Sequence, residues 1–236
     1  MAHKSCMVRH FQYFTRLGQL EVDLLSALEK SPEKVAAGKL MWKEGDPSEE
    51  MAVLSKGWAF SSYTLEDGSR MILDIFLPGD VIGLREFSAR THQANVETVT
   101  ECTLCRFPLR HLDDIFENSP RLTHTFFSIA ATQQSMLVER MINLGRRSAQ
   151  TRLSHFICEM RSRLSRTNPD LEKDFRLPLS QQMLADTMGL TPVHVSRVFT
   201  QLREKGLVYR DRHQVSIPDL DRLIGFADFD GSYLRM

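Results

Sequence analysis

The spacing of apolar positions changes several times along the chain. Leu17, Leu20, Leu24, Leu25 and Leu28 recur at helical intervals and predict a helix that stops near Ser31-Pro32, since proline disfavours helical backbone in the residue before it. From residue 35 to 107 the pattern becomes short apolar runs (51–54, 58–60, 71–76 and 96–107). They are divided by turn signals at Gly38, Gly45-Asp46, Gly57, Asp67-Gly68, Pro78-Gly79-Asp80 and Gly83. A turn roughly every ten residues reads as an antiparallel β sandwich or barrel, and Asp67-Gly68 between two apolar runs reads as a hairpin.

Residues 120–144 carry no glycine, and no proline after Pro120, and predict one long helix. Phe127, Gln134 and Met141 fall seven apart, as do Ala130, Leu137 and Leu144, forming an a/d seam of about three heptads. A second stripe, Leu122, Phe126, Ile129, Gln133 and Met136, lies on another face. Two stripes fit a helix that covers the β domain with one face and meets a partner with the other. They also fit a helix sandwiched within one core. Gly145-Arg146-Arg147-Ser148 is expected to break this helix as a hinge. A further helix over 148–164 buries Leu153, Phe156, Ile157, Met160 and Leu164, and a polar loop spans 167–173.

The stretch 177–207 carries the most chemistry. Ser180 is a helix N-cap, Met183, Leu184 and Met188 give an apolar face, and Gly189 stands where a left-handed C-cap needs glycine. Thr191 caps the next helix, with Pro192 at its first position, where a missing N–H costs nothing. Val195, Val198, Phe199 and Leu202 form its buried face and Gly206 ends it. Two short helices joined by a three-residue turn make a helix-turn-helix. Residues 207–217 alternate around Asp211-Arg212-His213 as a β-hairpin wing. Such a second helix lies in the DNA major groove. Its exposed positions are Val193, His194, Ser196, Arg197 and Gln201. Arg197 is the leading base reader, because its planar fork matches guanine O6 and N7. Ser180, Gln181, Thr191, Arg203 and Lys205 are placed for phosphate contacts.

The total charge does not by itself favour this reading. Thirty basic and thirty acidic residues cancel over 236 positions. Split at Leu144, however, the first part carries −4 and the rest +4, and residues 146–213 carry +6. The excess falls on the helix-turn-helix and its wing, as a nucleic-acid partner requires. No stretch of about 18 apolar residues exists, which excludes a membrane helix. The first ten residues lack an apolar signal core, and four cysteines make no disulfide framework, so a cytoplasmic location is expected. Cys6, Cys102, Cys105 and Cys158 read as reduced structural thiols, and no histidine spacing argues for haem. No metal site and no catalytic constellation is readable, so no enzyme activity is expected.

Taken together, these residues resemble the cyclic-AMP receptor protein and fumarate-nitrate reduction regulator family over the whole chain. The glycine-punctuated β segment, the Pro78-Gly79-Asp80 turn, the long helix, Arg147-Ser148-Ala149-Gln150-Thr151 after it, and the Leu190–Arg197 entry to the second helix carry the resemblance. It implies an α+β chain with three parts. These are an N-terminal antiparallel β-roll like a cyclic-nucleotide-binding domain (1–118), a long dimerisation helix (119–144) and a C-terminal winged helix-turn-helix (145–236). It implies a homodimer on palindromic double-stranded DNA, with RNA polymerase as a further partner and no membrane.

Two departures shape the expectation further. Nucleotide-binding members carry a Gly-Glu pair and a later Arg-x-Ala; here Gly83 precedes Leu84, and His92 stands nearest the arginine position. Gly83, Leu84, Arg85, Glu86, His92 and Gln93 are the candidate effector pocket, its effector unknown. A buried phosphate without its cation is costly, so control by cyclic AMP in the usual manner is not expected. The alternative is a cyclic-nucleotide-responsive regulator with a remodelled cassette. The family glutamate that accepts from cytosine is replaced by Val193, which fits a thymine methyl instead.

Overall fold

The computed structural model describes residues 5–29, 32–168, 170–171 and 173–234. Ser31, the expected helix stop, and the side chain of Cys6 lie outside the described residues, as do Met1–Lys4 of the segment searched for a signal core and Pro169 and Glu172 of the polar loop. The chain divides into two compact units. One holds the chain through Tyr63 together with Leu73–Gln134. The other holds Thr64–Ile72 and the chain from Ser135 onward.

The first unit opens with helices α1 (Cys6–Gln12) and α2 (Gln19–Leu28). The sequence pattern had found α2 alone. Eight strands follow: β1 (Pro32–Val35), β2 (Leu40–Trp42), β3 (Glu50–Lys56), β4 (Ala59–Thr64), β5 (Arg70–Phe76), β6 (Val81–Ile82), β7 (Asn95–Thr98) and β8 (Cys102–Pro108). They form two sheets ordered β1-β8-β3-β6 and β2-β7-β4-β5. Strand β3 shows why its apolar run is unbroken. Met51 and Val53 face a cluster built with Phe11, Leu25, Leu122 and Phe126 of the helices, whereas Ala52 and Leu54 face the roll interior with Trp42, Val96 and Leu104.

The expected run 96–107 is two strands rather than one. Val99 and Thr100 both donate their N–H groups to the carbonyl of Trp58, at 2.7 and 3.3 Å, which pivots the chain between β7 and β8. Gly57, just before that carbonyl, has φ +92, and a Cβ there would lie 2.4 Å from the Glu101 carbonyl oxygen, so only glycine fits.

Helix α3 (Arg110–Asn118) leads into α4 (Pro120–Arg146). Helix α4 continues through Gly145 and Arg146, two residues beyond the expected break. The interruption comes at Arg147-Ser148, where Ser148 turns to extended backbone and its hydroxyl caps α5 (Ala149–Thr167). Glycine alone in a helix costs about 1 kcal/mol, which neighbouring turns readily offset. The two stripes of α4 separate in part, with Ala130, Leu137 and Leu144 of the seam and Gln133 of the other stripe half-buried. Leu122, Phe126, Ile129 and Met136 are buried, while Phe127 and Met141 are each 71% exposed, with Val138 at 51%.

The second unit is built on α5, which packs against α7 (Pro192–Glu204) and α8 (Leu220–Ala227). Leu153, Phe156, Ile157 and Met160 of α5 are buried as expected, and Leu164 is only half-buried. Helix α6 (Gln181–Met188) precedes α7. The wing β10 (Tyr209–Asp211) and β11 (Gln214–Ser216) gains a third strand, β9 (Asp174–Arg176), which pairs Phe175 with Val215. Beneath these lies an ionic cluster: Glu159 is met by Arg140 and Arg163, each at 3.7 Å, and accepts from the Tyr233 hydroxyl at 3.1 Å. No helix among the described residues is long and apolar enough to cross a membrane.

Candidate nucleic-acid interface

Local chemistry sets both helices of the motif. The Ser180 hydroxyl accepts from the Met183 N–H, Gly189 closes α6 at φ +60, and the Thr191 hydroxyl accepts from the His194 N–H with Pro192 at the first turn. Arg152 of α5 then fixes where α6 ends. Its guanidinium donates to the Met188 carbonyl at 2.5 Å and to those of Asn143, Leu144 and Arg147 at the end of α4. A cation there complements the negative ends of both helices. Burial holds the Arg152 pKa below the usual arginine range.

Along α7, Val195, Val198 and Leu202 are buried, and Val193, His194, Ser196 and Arg197 are exposed. Val193 is 70% exposed. The Arg197 guanidinium has neither hydrogen bond nor ion pair among the described residues. Two expectations need correction. Gln201 is not free to read bases, because its amide oxygen accepts from Gln150 of α5 at 2.9 Å and the residue is half-buried. Phe199 is half-buried rather than core, and it carries the Arg210 guanidinium 4.8 Å from its ring centroid.

Ser180, Gln181 and Arg203 come together with Ser196, Thr200 and the wing residues Arg212 and His213 around one cavity of about 350 Å³. Thr191 is exposed at the start of α7. Lys205 is not in this group: its ammonium lies over the Phe226 ring at 5.2 Å. The sequence pattern had missed Thr200, Arg210, Arg212 and His213. The Asp211-Arg212-His213 wing turn is visible in the sequence, but its approach to α6 depends on the β10–β11 pairing.

In the first unit, the candidate effector residues do not converge on one opening. Glu86 and His92 are both buried and bonded, with Glu86 Oε2 2.7 Å from His92 Nδ1. Gln93 donates its backbone N–H to the other Glu86 oxygen at 2.9 Å. The His92 ring stacks on Trp42 at 4.7 Å. Gly83 takes φ +95 and caps a short 3-10 turn, Leu84 packs into the helix-facing cluster, and Arg85 points to solvent. A cavity of about 660 Å³ opens beside Trp42 and His92, and of the two arginines that line it Arg106 is bonded to Glu50 at 2.6 Å and Glu33 at 3.0 Å, while Arg110 is exposed.

Residues 151–226 match the model of the Crp-like helix-turn-helix domain, and residues 32–119 match that of the cyclic nucleotide-binding domain. The chain belongs to the CRP/FNR family. It is a DNA-binding transcription regulator of that type. The transcriptional activatory protein AadR of Rhodopseudomonas palustris is 28% identical over 95% of this chain and 90% of that protein. The nitrogen fixation regulation protein FixK of Bradyrhizobium diazoefficiens is 29% identical over 81% and 80%. The solved structure of FixK2 from Bradyrhizobium japonicum superposes with a TM-score of 0.75 at 25% identity, covering 83% of this chain and 96% of that one.

Within the CRP/FNR frame, Cys102 and Cys105 are buried on opposite faces of β8, as alternation dictates. Cys158 is buried in α5, and burial pushes its thiol up to about 12. Among the described residues no group of three His, Cys, Asp or Glu is placed to hold a metal ion.

Proposed function

We propose that this regulator works in the cytoplasm as a homodimer. It reads a palindromic operator through α7, acts by binding rather than by turnover, and engages RNA polymerase from the DNA. The observation that carries this is the face of α7: Val193, His194, Ser196 and Arg197 stand exposed, and Arg197 has no partner within the described residues. An unengaged guanidinium at the entry of a recognition helix suits guanine O6 and N7, and Val193 suits a thymine methyl. The exposed seam of α4 supplies the second copy. Phe127, Gln134 and Met141 are exposed, and Ala130, Leu137 and Leu144 are half-buried beside them. Cyclic AMP is not the effector in the usual manner, because Leu84 stands where nucleotide-binding members carry glutamate and His92, nearest the arginine position, is held by Glu86.

Selection of bound DNA from random sequence tests the reading. Two inverted half-sites about one helical turn apart are expected. Arg197→Ala should cost about 1–3 kcal/mol per half-site and relax the choice at one guanine. Cytosine discrimination that survives Val193→Ala would overturn the assignment of Val193. Cyclic AMP heats at micromolar concentration would overturn the exclusion of that effector.

A further inference from the structure

A largely buried polar cluster joins three segments of the second unit: the end of α4, helix α5 and the stretch that follows α8. Arg147, which can only donate, gives its Nη1 to the Asn143 Oδ1 at 3.0 Å and to Glu139. The Asn143 amide nitrogen therefore faces the His155 Nδ1, at 3.1 Å, and that ring nitrogen must accept. The ring proton sits on Nε2, 3.1 Å from Glu139. One turn further along α5, Glu159 lies 3.7 Å from Arg140 of α4. The hydrogen bond that its carboxylate accepts among the described residues comes from the Tyr233 hydroxyl, at 3.1 Å. Burial first, and then the Glu159 charge, push the Tyr233 pKa up, so the hydroxyl stays a donor.

The stretch after α8 closes over this cluster. Asp228 ends α8 at φ +48, a left-handed conformation that turns the chain back, and its carbonyl accepts from Arg147 Nη2 at 3.4 Å. Phe229 meets the His155 ring edge-on at 5.0 Å, and Tyr233 lies parallel to that ring at 6.1 Å. Leu234 is fully buried, and its carbonyl accepts from Arg166 at 2.7 Å. The stretch thus holds the end of α4 through Arg147 and α5 through His155, Glu159 and Arg166. Leu137, Met141 and Leu144 of the seam lie on the same turns of α4 as Glu139, Arg140 and Asn143, and α7 packs on α5. In a dimer joined at the seam, the angle between α4 and α5 therefore sets how far apart the two copies of α7 stand.

We propose that residues 228–234 are a clasp on the α4–α5 joint, and that Tyr233 is a positioning residue through which the dimer selects the spacing of its half-sites. Tyr233 acts through Glu159 and His155, not on the DNA. A buried network with one order of donors and acceptors specifies one arrangement of the helices that carry it. With the clasp loosened, the joint admits a range of angles, and the second half-site is met at several spacings. This rests on the reading of a homodimer on a palindromic operator, and adds to it a residue remote from the bases.

Operators built from the selected half-site, with the two copies moved apart or together one base pair at a time, provide the test, and a single half-site is the control. Each base pair shifts a half-site by about 3.4 Å and about a tenth of a turn. The wild-type dimer should favour its best spacing over the neighbouring ones by about tenfold or more, because the second half-site adds affinity only where both can be engaged together. Tyr233→Phe, which keeps the ring and removes the hydrogen bond, should narrow that ratio to about threefold. Tyr233→Ala should abolish most of it. Both variants should remain dimers and bind the single half-site within about twofold of wild type. Folded variants that keep the wild-type ratio overturn the inference, as does a wild-type dimer indifferent to spacing. Half-site and operator affinities that fall in step at an unchanged ratio also overturn it, since Tyr233 would then only support the domain's fold. Should Tyr233→Ala fail to fold, Tyr233→Phe decides alone. A wild-type protein that binds no DNA, or binds the palindrome no better than one half-site, overturns the underlying reading instead.

Discussion

The β-roll and the outer face of the helix-turn-helix treat their charges in opposite ways. In the roll, Glu86 is answered by His92 and the Gln93 N–H, and Arg106 is answered by Glu50 and Glu33. On the side that we propose faces DNA, Arg197 has no partner among the described residues, and Arg203, Arg212 and Arg210 border a cavity lined by no carboxylate among them. An incoming anion would have to displace internal partners in the first region and would find open donors in the second. The region whose fold is named for ligand binding is therefore the one whose named charges are paired. The unsatisfied one is where we propose that the DNA docks.

The largest test of this contrast is to undo the doubling of the open face. Phe127 and Met141 are exposed, so replacing both with aspartate removes seam area without touching the core. The double variant should sediment as a monomer with a near wild-type melting temperature. Its operator affinity should fall by about 10²- to 10⁴-fold, the gain that linking two half-sites ordinarily provides. A dimer that persists through the double substitution would place the interface elsewhere.

A second test asks whether openness belongs to the whole second unit or to one face of it. His155 is fully buried there. Asn143 Nδ2 lies 3.1 Å from its Nδ1 and Glu139 3.1 Å from its Nε2, an arrangement suited to the neutral ring. Burial foremost, then the Arg147 guanidinium, lower its pKa from 6.5 to about 4, against the pull of Glu139. In this window the unfolded chain binds the proton that the folded chain refuses. Stability is thus complete above about pH 6.5 and is lost as the pH falls toward 4, by about 3 kcal/mol at the limit. His155→Gln should flatten that part of the urea-unfolding profile. An unchanged slope in the variant would remove His155 as the cause.

Much of the open region was legible because its signals are local. Ser180, Gly189, Thr191 and Pro192 act within three or four residues of themselves, and each holds the position its chemistry demanded. The satisfied region was less so. The Glu86–His92 bond closes a loop without periodicity, and nothing in the spacing shows that Arg85 turns outward while Glu86 turns in. Strand β9 is three residues long and defined only by its pairing with β11, a contact some forty residues distant along the chain. Helix α8 did carry a signal, the Asp219 cap before Leu220, Leu223 and Ala227, and it went unread. Gln201 looked open on the helical wheel, but the wheel does not show Gln150 beside it.

The smallest expected effect is also the most direct comparison, because one substitution in each region should move one observable and spare the other. Glu86→Ala strips the buried His92 Nδ1 and the Gln93 N–H of their acceptor, and an unmet buried polar group costs about 1–3 kcal/mol. Stability measured in urea should fall by that amount. Operator affinity of the folded fraction should stay within twofold, and cyclic AMP should not restore the loss. Arg197→Ala exposes nothing and breaks no internal bond, so its stability should stay within about 0.5 kcal/mol of wild type while operator affinity falls. If Glu86→Ala instead weakened DNA binding at constant stability, the carboxylate would be part of a signalling path and the roll would not be the closed region described above. If cyclic AMP stabilised the Glu86→Ala variant, the internal carboxylate would be the element that keeps a nucleotide out.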